Sequence, residues 1–591
     1  MRAAWLILVV ALFLAPPARA DATVTLCAAD DQAGAGTNLS AALAVGGRVT
    51  FACGAAATIL MNCHAQIATD TEIDGAGHVT LRVNVGGPGC SSPTGSVHFA
   101  LFHDPPGKTL ALKLTGLNLV GLKAPPKAVT STLPGQLVFG NLALTITGST
   151  IQSWTSPIFL STGQAIVDSS TLSNNDGVVL AAPTLVVRHG TIFSNNGGVP
   201  LRSTGGTVLI DGGRFTGNRS GSQLNACTSI DIHDSNFDSN TSATTGGALS
   251  VGCNTRISGG MFKKNQARSG GALYIGDGAQ STNLVGVTFE GNQASADGGA
   301  VAMRYEIYPP LPPAQTVALH GVTFRSNAAQ IAGALEVARD AAPGTVLANR
   351  TLTAAGTQFI DNHATIAGGG LLFARAQAVF DGVVFVGNRA DKGGGALVSL
   401  QRNDGGLELA NTLLVQNVSP LGAAVLGHGV TFVNSTLADN NGPAISGATA
   451  AAFLPPVRGI GPQPIGLQNT IVAAGTGAAC GPMAPDVPII DEGNNLQSGG
   501  NACGATIAVG SPRFGPSYIP LPGSPAAHGG NDAVCAAAPV AGRDLWGEVR
   551  PNSGHCAIGA AESNISQMVN QAGGPVLQAV GAVLRCACWK K

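Results

Sequence analysis

Phe262-Lys-Lys-Asn265 is followed by Gly270-Gly-Ala-Leu-Tyr-Ile275, and Phe289-Glu-Gly-Asn292 by Gly298-Gly-Ala-Val-Ala-Met303. The same Phe-x-x-Asn phrase returns at Phe215–Asn218, Phe237–Asn240, Phe324–Asn327, Phe359–Asn362 and Phe385–Asn388, with further diglycines at Gly246-Gly247-Ala248 and Gly394-Gly395-Ala396. From Phe193 through Phe215, Phe237, Phe262, Phe289, Phe324 and Phe359 to Phe385 the steps are 22, 22, 25, 27, 35, 35 and 26 residues. Self-similarity at such a period marks a stacked solenoid. Each copy alternates apolar and polar residues in short pieces separated by turn residues, and none has a helical period. One copy reads Ala376–Phe380, Asp381-Gly382, Val383–Phe385, a turn to Asn388, then Ala396–Ser399. Three short strands per turn of the coil predict an all-β parallel β-helix.

The phrase has a physical reading. A Phe at one position of every rung stacks into an apolar column inside the coil. An Asn at a corner stacks on the Asn above and below as an amide ladder and tolerates the left-handed backbone of a sharp corner. The glycine pair permits the next corner and a close backbone approach.

Whole-chain numbers fit a solenoid. Of 591 residues 82 are Gly, only 11% are charged, and the net charge is −1. That balance gives no bulk attraction to nucleic acid. Arg2, the apolar stretch Trp5–Leu14 and Ala18-Arg19-Ala20 read as a secretion signal over residues 1–20, with the mature chain beginning at Asp21. No later stretch is long and apolar enough for a membrane span. Twelve Cys in an exported chain suggest disulfides. Neighbours are expected to pair: Cys27 with Cys53, Cys63 with Cys90, Cys227 with Cys253, Cys480 with Cys503, and Cys535 with Cys556. The Cys227–Cys253 spacing matches one repeat, and stacked rungs lie ~4.8 Å apart, within disulfide reach. Cys586 and Cys588 are left as free thiols or an intermolecular link.

Residues 21–80 read as an N-terminal cap, with a short helix over Thr37–Leu43 and strands over Arg48–Ala52 and His78–Val83. The repeats are assigned to 81–465, a C-terminal domain to 466–562 and a tail to 563–591.

The Gly-Gly-Ala and Phe-x-x-Asn signatures resemble the polymorphic outer-membrane-protein repeat of bacterial surface proteins. Beyond residue 465, Leu467-Gln-Asn-Thr-Ile-Val472, Gly493-Asn-Asn-Leu496, Pro522-Gly-Ser-Pro-Ala526, Gly542-Arg-Asp-Leu-Trp-Gly547, Arg550-Pro551 and Ile558-Gly-Ala-Ala-Glu562 occur in order. They resemble the "choice-of-anchor Q" C-terminal domain, which usually follows a right-handed β-helix of the pectin-lyase-like kind and precedes a variable anchoring tail. Ala527-His528-Gly529 departs from that domain's Ser-Pro-Ala-hydrophobic-Asp pattern. The resemblance implies a secreted protein at the cell surface or associated with the outer membrane, with the periplasm as the other location. The membrane barrel that ends the polymorphic proteins needs many strands of ~10 residues, more than 563–591 could supply.

Enzymes also use this fold. Gly427-His428-Gly429 resembles a polygalacturonase motif, but the Asn-Thr-Asp that accompanies it there is missing, and the Asp-Asp pair of this chain, Asp30-Asp31, is far away in sequence. Glycoside hydrolysis needs two positioned carboxylates. Asp231, Asp234 and Asp238 form the densest acidic group, and Ca²⁺ bound there is the one cofactor the sequence offers; oxygen-rich Ca²⁺ sites need about six ligands. Arg304, Arg339, Arg375 and Arg402 follow successive diglycine strands as a rough column. Tyr305 and Tyr308 lie in a Pro-rich insertion beside it, and such insertions often mark a solenoid's binding face. The expectation is therefore adhesion or extracellular recognition without catalysis, the partner being a polysaccharide or a cell-surface protein. The alternative is a polysaccharide lyase or glycoside hydrolase acting on acidic glycans.

Overall fold

The alternation that predicts strands also decides which side of each strand is inside. In Asn254–Ser258, Thr255 and Ile257 are buried while Asn254 and Arg256 face outward. A computed structural model of the chain describes residues 21–62, 65–84, 100–104, 107–121, 136–303, 314–337, 350–374, 376–400, 406–447, 463–552 and 554–562. Two units are distinguished, Met1–Ile166 and Val167–Lys591.

In the first unit a helix, Leu39–Val45, is N-capped by Asn38, whose Oδ1 accepts the Ala41 N–H at 2.8 Å. It lies two residues beyond the expected Thr37 start, because Asn38 stops the helix from extending upstream. Parallel ladders follow: Gly47–Phe51 pairs with Ala22–Val24 and with Thr71–Val83, which in turn pairs with Ala111–Val120. Rung stacking thus begins within the stretch read as a cap. Cys27 and Cys53 are bonded. Cys63 and Cys90 lie outside the described residues, as do Cys586 and Cys588.

The second unit is a parallel β-helix with three sheets. One rung runs Asn254–Ser258, a Gly259-Gly260 corner, Met261–Lys263, the Lys264-Asn265 corner, Gln266–Ser269, the Gly270-Gly271 corner and Leu273–Ile275. The long first strand and the short second belong to one bent sheet, and Leu273–Ile275 belongs to another. The stretch after Asn265, expected as a turn, is a fourth strand piece. It pairs from rung to rung through Gln293–Asp297, Ala328–Ile331 and His363–Ala367 to Arg389–Ala390.

The inside follows the repeat. Eight rings from Phe193 to Phe385 stack in register with centroids 4.6–5.1 Å apart. Such pairs contribute ≈ 0.5–1.5 kcal/mol each beyond area burial. The Asn column runs from Asn175 to Asn440, and every amide Nδ2 before Asn440 donates to the next Oδ1 at 2.8–3.1 Å. These side chains are fully buried, so the ladder satisfies groups that water cannot reach. Cys227 and Cys253 bridge adjacent rungs with Cα atoms 5.7 Å apart.

Rungs do not stop at residue 465. Ile465–Gln468 pairs with Val430–Val433, Ile489–Asp491 with Ile465–Gln468, and Ala508–Val509 with Leu496–Gln497. The part that differs in kind is 510–562, which folds back over the outer side of the short strands. Phe514, Tyr518, Ala526, Leu545, Trp546 and Ile558 pack there on Val384, Val386, Leu413, Val415 and Ile471. Cys480–Cys503 and Cys535–Cys556 are bonded. Among the described residues no helix is long and apolar enough to cross a membrane.

Candidate functional site

Arg304, Tyr305, Tyr308, Arg339, Arg375 and Arg402 lie outside the described residues. Their chain neighbours locate the corner they enter. Met303, Val337, Ala374 and Leu400 end successive strands of the second sheet, and Met303 pairs with Val337 and Ala374 with Leu400. The connections 304–314, 338–349 and 448–464 all leave this sheet and return to the long strands of the bent sheet. The longest insertions of the second unit therefore share one corner, the arrangement by which solenoids present a binding face.

Described polar side chains gather at the same corner. Arg350, 5% exposed, begins the long strand Arg350–Ala355, and its Nη2 lies 4.0 Å from Asp277 Oδ1. Gln315, its register partner, donates from Nε2 to the Ala279 carbonyl at 2.6 Å. Glu336 is fully buried at the middle of Leu335–Val337. A buried guanidinium is tolerated only when paired and hydrogen-bonded, and Asp277 faces Arg350 at this corner.

A second polar group sits on the outer face of the long strands. Asp168 accepts from Arg188 Nε at 2.8 Å and faces His189 Nδ1 at 2.9 Å. His233 spans Asp231 Oδ1, 3.0 Å from its Nε2, and Ser258 Oγ, 2.7 Å from its Nδ1. Asp231 is thus engaged along its own strand, Asp234 turns the corner with φ +43°, and Asp238 accepts from Ser239. Among the described residues no three His, Cys, Asp or Glu side chains converge to hold a metal ion. His428 ends Val425–His428, and Gly427 stacks on Ser399, where a Cβ would lie 1.9 Å from the Ser399 carbonyl oxygen. Gly427 therefore serves backbone stacking. Asp30 belongs to the first unit, where its carboxylate accepts the Asn62 N–H.

Burial raises the Asp168 carboxyl, but hydrogen bonds from Ser169, His189 and Arg188 outweigh it and hold the pKa below the ordinary value. Asp391 behaves alike: burial raises it, and Arg389 and His363 together bring it down. A carboxyl with a lowered folded pKa contributes stability above its unfolded pKa of about 3.9. That contribution is lost as pH falls through the folded value. Acidification below about pH 4 is therefore expected to lower the melting temperature. The double variant Asp168→Asn, Asp391→Asn should show a flatter fall in melts between pH 5 and 2.5. Equal slopes for the two chains would remove these pairs from the acid response.

Sequence reasoning missed one carboxylate pair. Glu408 faces outward from Gly406–Ala410 and pairs in register with Thr431, which pairs with Gly466. A Cβ on Gly466 would meet Glu492 Oε1 at 2.9 Å, so the Glu492 carboxylate lies over that glycine. Burial pushes the Glu408 carboxyl up, and Glu492 adds to the shift. The signal is the rung alignment of 408, 431 and 466, which appears only once the repeat is followed past its last Phe-x-x-Asn.

Among family models, one described as "Right handed beta helix region" matches residues 137–294. No curated protein matches the chain significantly. A solved structure titled "Catalytic domain of GH87 alpha-1,3-glucanase in complex with nigerose" is similar at 11% identity over 78% of this chain and 68% of that one, with a TM-score of 0.21. Over the matched residues the chain is similar to right-handed β-helix proteins, in agreement with its parallel ladders and stacked rungs.

Proposed function

We propose that this chain is exported and acts by recognition rather than catalysis, as a bacterial surface or secreted β-helix protein that holds a polysaccharide or a cell-surface protein. The observation that carries this reading is the shared corner of the long insertions, where Asp277, Gln315 and Arg350 anchor the returning strands. The recurrent residues are occupied by stacking. The outer charges of the short strands face one another along the ladder: Asp238 pairs in register with Lys263, Lys263 with Glu290 and Glu290 with Arg325. Lys263 Nζ lies 3.1 Å from Glu290 Oε1. Charges neutralised rung by rung along this row are already engaged with one another. The motifs of 466–562 support an anchor-bearing surface protein, and the sequence spacing of Arg304, Arg339, Arg375 and Arg402 suits an acidic glycan.

The test is a screen of the oxidised mature chain against acidic and neutral polysaccharides, with and without Ca²⁺, following both binding and new reducing ends or unsaturated uronate. Binding without turnover is expected. A second reading, glycoside hydrolysis, rests on Glu408 and Glu492: two carboxylates on one face, one pushed up, are what acid–base cleavage of a glycosidic bond requires. Turnover that Glu408→Gln reduces by about 10²-fold or more would replace recognition with that reading.

A further inference from the structure

Residues 510–562 are held on the solenoid by apolar packing, by hydrogen bonds from Tyr518 Oη to Asp439 and from Asn494 Nδ2 to the Gly529 carbonyl, and by two further fastenings that a covalent bridge joins. At the first, Asn531 N–H donates to Asn469 Oδ1 at 2.9 Å and Asn469 Nδ2 returns a bond to the Asn531 carbonyl at 3.2 Å. Four residues on, Cys535 Sγ accepts from Asn434 Nδ2 at 3.1 Å. At the second, Gly559 N–H donates to the Asn469 carbonyl at 2.8 Å and Ala560 N–H to Thr436 Oγ1 at 2.9 Å. Both places are on the same two rungs, those of Asn434–Thr436 and Asn469. The Cys535–Cys556 disulfide spans the chain between them.

The second fastening is itself clamped. Arg550, 3% exposed, donates from Nη1 to the Gly559 carbonyl at 3.1 Å and from Nη2 to that of Ala560 at 2.8 Å. The Glu562 carboxylate accepts the N–H groups of Asn552 and Ala557, and Glu562 N–H donates to Asp544 Oδ2 at 3.0 Å. Twenty-nine more residues follow Glu562 in the sequence (563–591).

We propose that this segment is a load-bearing strap: tension on the chain beyond Glu562 enters the solenoid at the rungs of Thr436 and Asn469, not at its terminal strands. This goes beyond recognition and gives 510–562 a mechanical role. The last strands, Ile489–Asp491, Leu496–Gln497 and Ala508–Val509, are two or three residues long. In a solenoid each rung contacts only its neighbours, so a pull on the last rung would peel the coil one rung at a time. The strap takes that path out of the load. Tension at residue 562 meets the Arg550 clamp and the Gly559–Ala560 bonds, then crosses the disulfide to Cys535 and the Asn531–Asn469 pair. The chain between Cys535 and Cys556 cannot extend while the bridge is intact.

The experiment is single-molecule pulling on the oxidised mature chain, held at residues 21 and 591. The native chain is expected to resist until the strap detaches, and only then to lose rungs 489–509. Thr436→Val combined with Asn469→Ala removes the side chains that hold Ala560 and Asn531, leaves the clamp and every disulfide in place, and should raise the first-rupture rate at fixed load about tenfold, with an unchanged circular dichroism spectrum. Cys535→Ser with Cys556→Ser should add to the first event the extension of the 21-residue span, on the order of 70 Å. Release of the terminal rungs before the strap in the native chain would overturn the proposal. So would a native rupture rate in the Thr436→Val, Asn469→Ala chain.

Discussion

Replacing Asn292 with alanine is expected to cost about 4 kcal/mol, far more than one surface amide could. The side chain is fully buried at the middle of the ladder. Its Oδ1 accepts both the backbone N–H and the Nδ2 of Asn265 at 3.0 Å, and its Nδ2 donates to the Phe262 carbonyl and to Asn327 Oδ1 at 2.9 Å. Truncation leaves the Asn265 N–H, one Asn265 amide proton and the Phe262 carbonyl unpaired in a dry interior. Each such group costs roughly 1–3 kcal/mol, with partial relaxation bringing the sum to the value above. Because rungs couple only to neighbours, the damage should be local. Hydrogen exchange should accelerate at Asn265 and the adjoining rungs first, and chemical denaturation should give the total. Gln293→Ala, one residue on and exposed, is the control and should stay within about 0.5 kcal/mol. A loss below about 1 kcal/mol at Asn292 would mean that the ladder is decoration on a coil held by its backbone and its Phe column.

That ladder was legible because one residue type returns to one place on every rung. So were the Phe column and the Cys227–Cys253 disulfide, whose spacing matches one repeat, while Cys480–Cys503 and Cys535–Cys556 were expected as sequence neighbours. The end of the coil was not. Along the Phe column Phe385 pairs with Leu414, Leu414 with Leu437, Leu437 with Val472 and Val472 with Gln497. Three residues on, where Asn388, Asn417 and Asn440 stand, come Gly475 and Gly500. Backbone pairing continues after both signatures have gone, since a parallel ladder needs no particular side chain. The fold-back of 510–562 was hidden for a different reason. Val384, Val386, Leu413 and Val415 alternate with the inward Phe385 and Leu414, so those strands are apolar on both sides. Sequence alone shows such a strand as buried without naming what buries its outer face. For the functional site the sequence yielded the corner through its insertions. It did not yield Glu408 with Glu492, which are far apart in the chain and meet only through rung register.

The glycine pair makes the sharpest distinction between two residues of one motif. Gly298→Ala should cost less than Gly299→Ala. Gly298 takes a left-handed φ of +61°, but one rung later Ala332 occupies the equivalent place with φ +54°. A Cβ on Gly298 would lie 2.4 Å from the Val301 carbonyl oxygen, within its own rung, so the alanine needs the local adjustment that the Ala332 corner has made, on top of a backbone cost of roughly 1–2 kcal/mol. At Gly299 the obstacle is the neighbouring rung. A Cβ there would lie 1.9 Å from the Gly333 carbonyl oxygen and 2.7 Å from that of Ala328. Those carbonyls cannot withdraw freely, because Gly299 N–H bonds the Ala332 carbonyl at 2.9 Å and Ala300 N–H that of Ala334 at 3.0 Å. The same overlap, at 2.1–2.3 Å, exists for Gly247, Gly271, Gly333, Gly369 and Gly395. Ala423 follows Gly422 at the next corner, where the rung beyond brings Pro443 against it. Relieving the contact at Gly299 means parting two rungs, for which about 3 kcal/mol or more is expected, at the upper end of overpacking costs. Parallel melts of the two variants, with limited proteolysis to locate the opening, would test it. The second corner glycine is an inter-rung steric device if Gly299→Ala opens the chain between residues 293 and 335 while Gly298→Ala melts nearer to the native protein and opens no rung. Equal melting temperatures would show instead that the rungs can spread, and that the second glycine serves the backbone conformation alone.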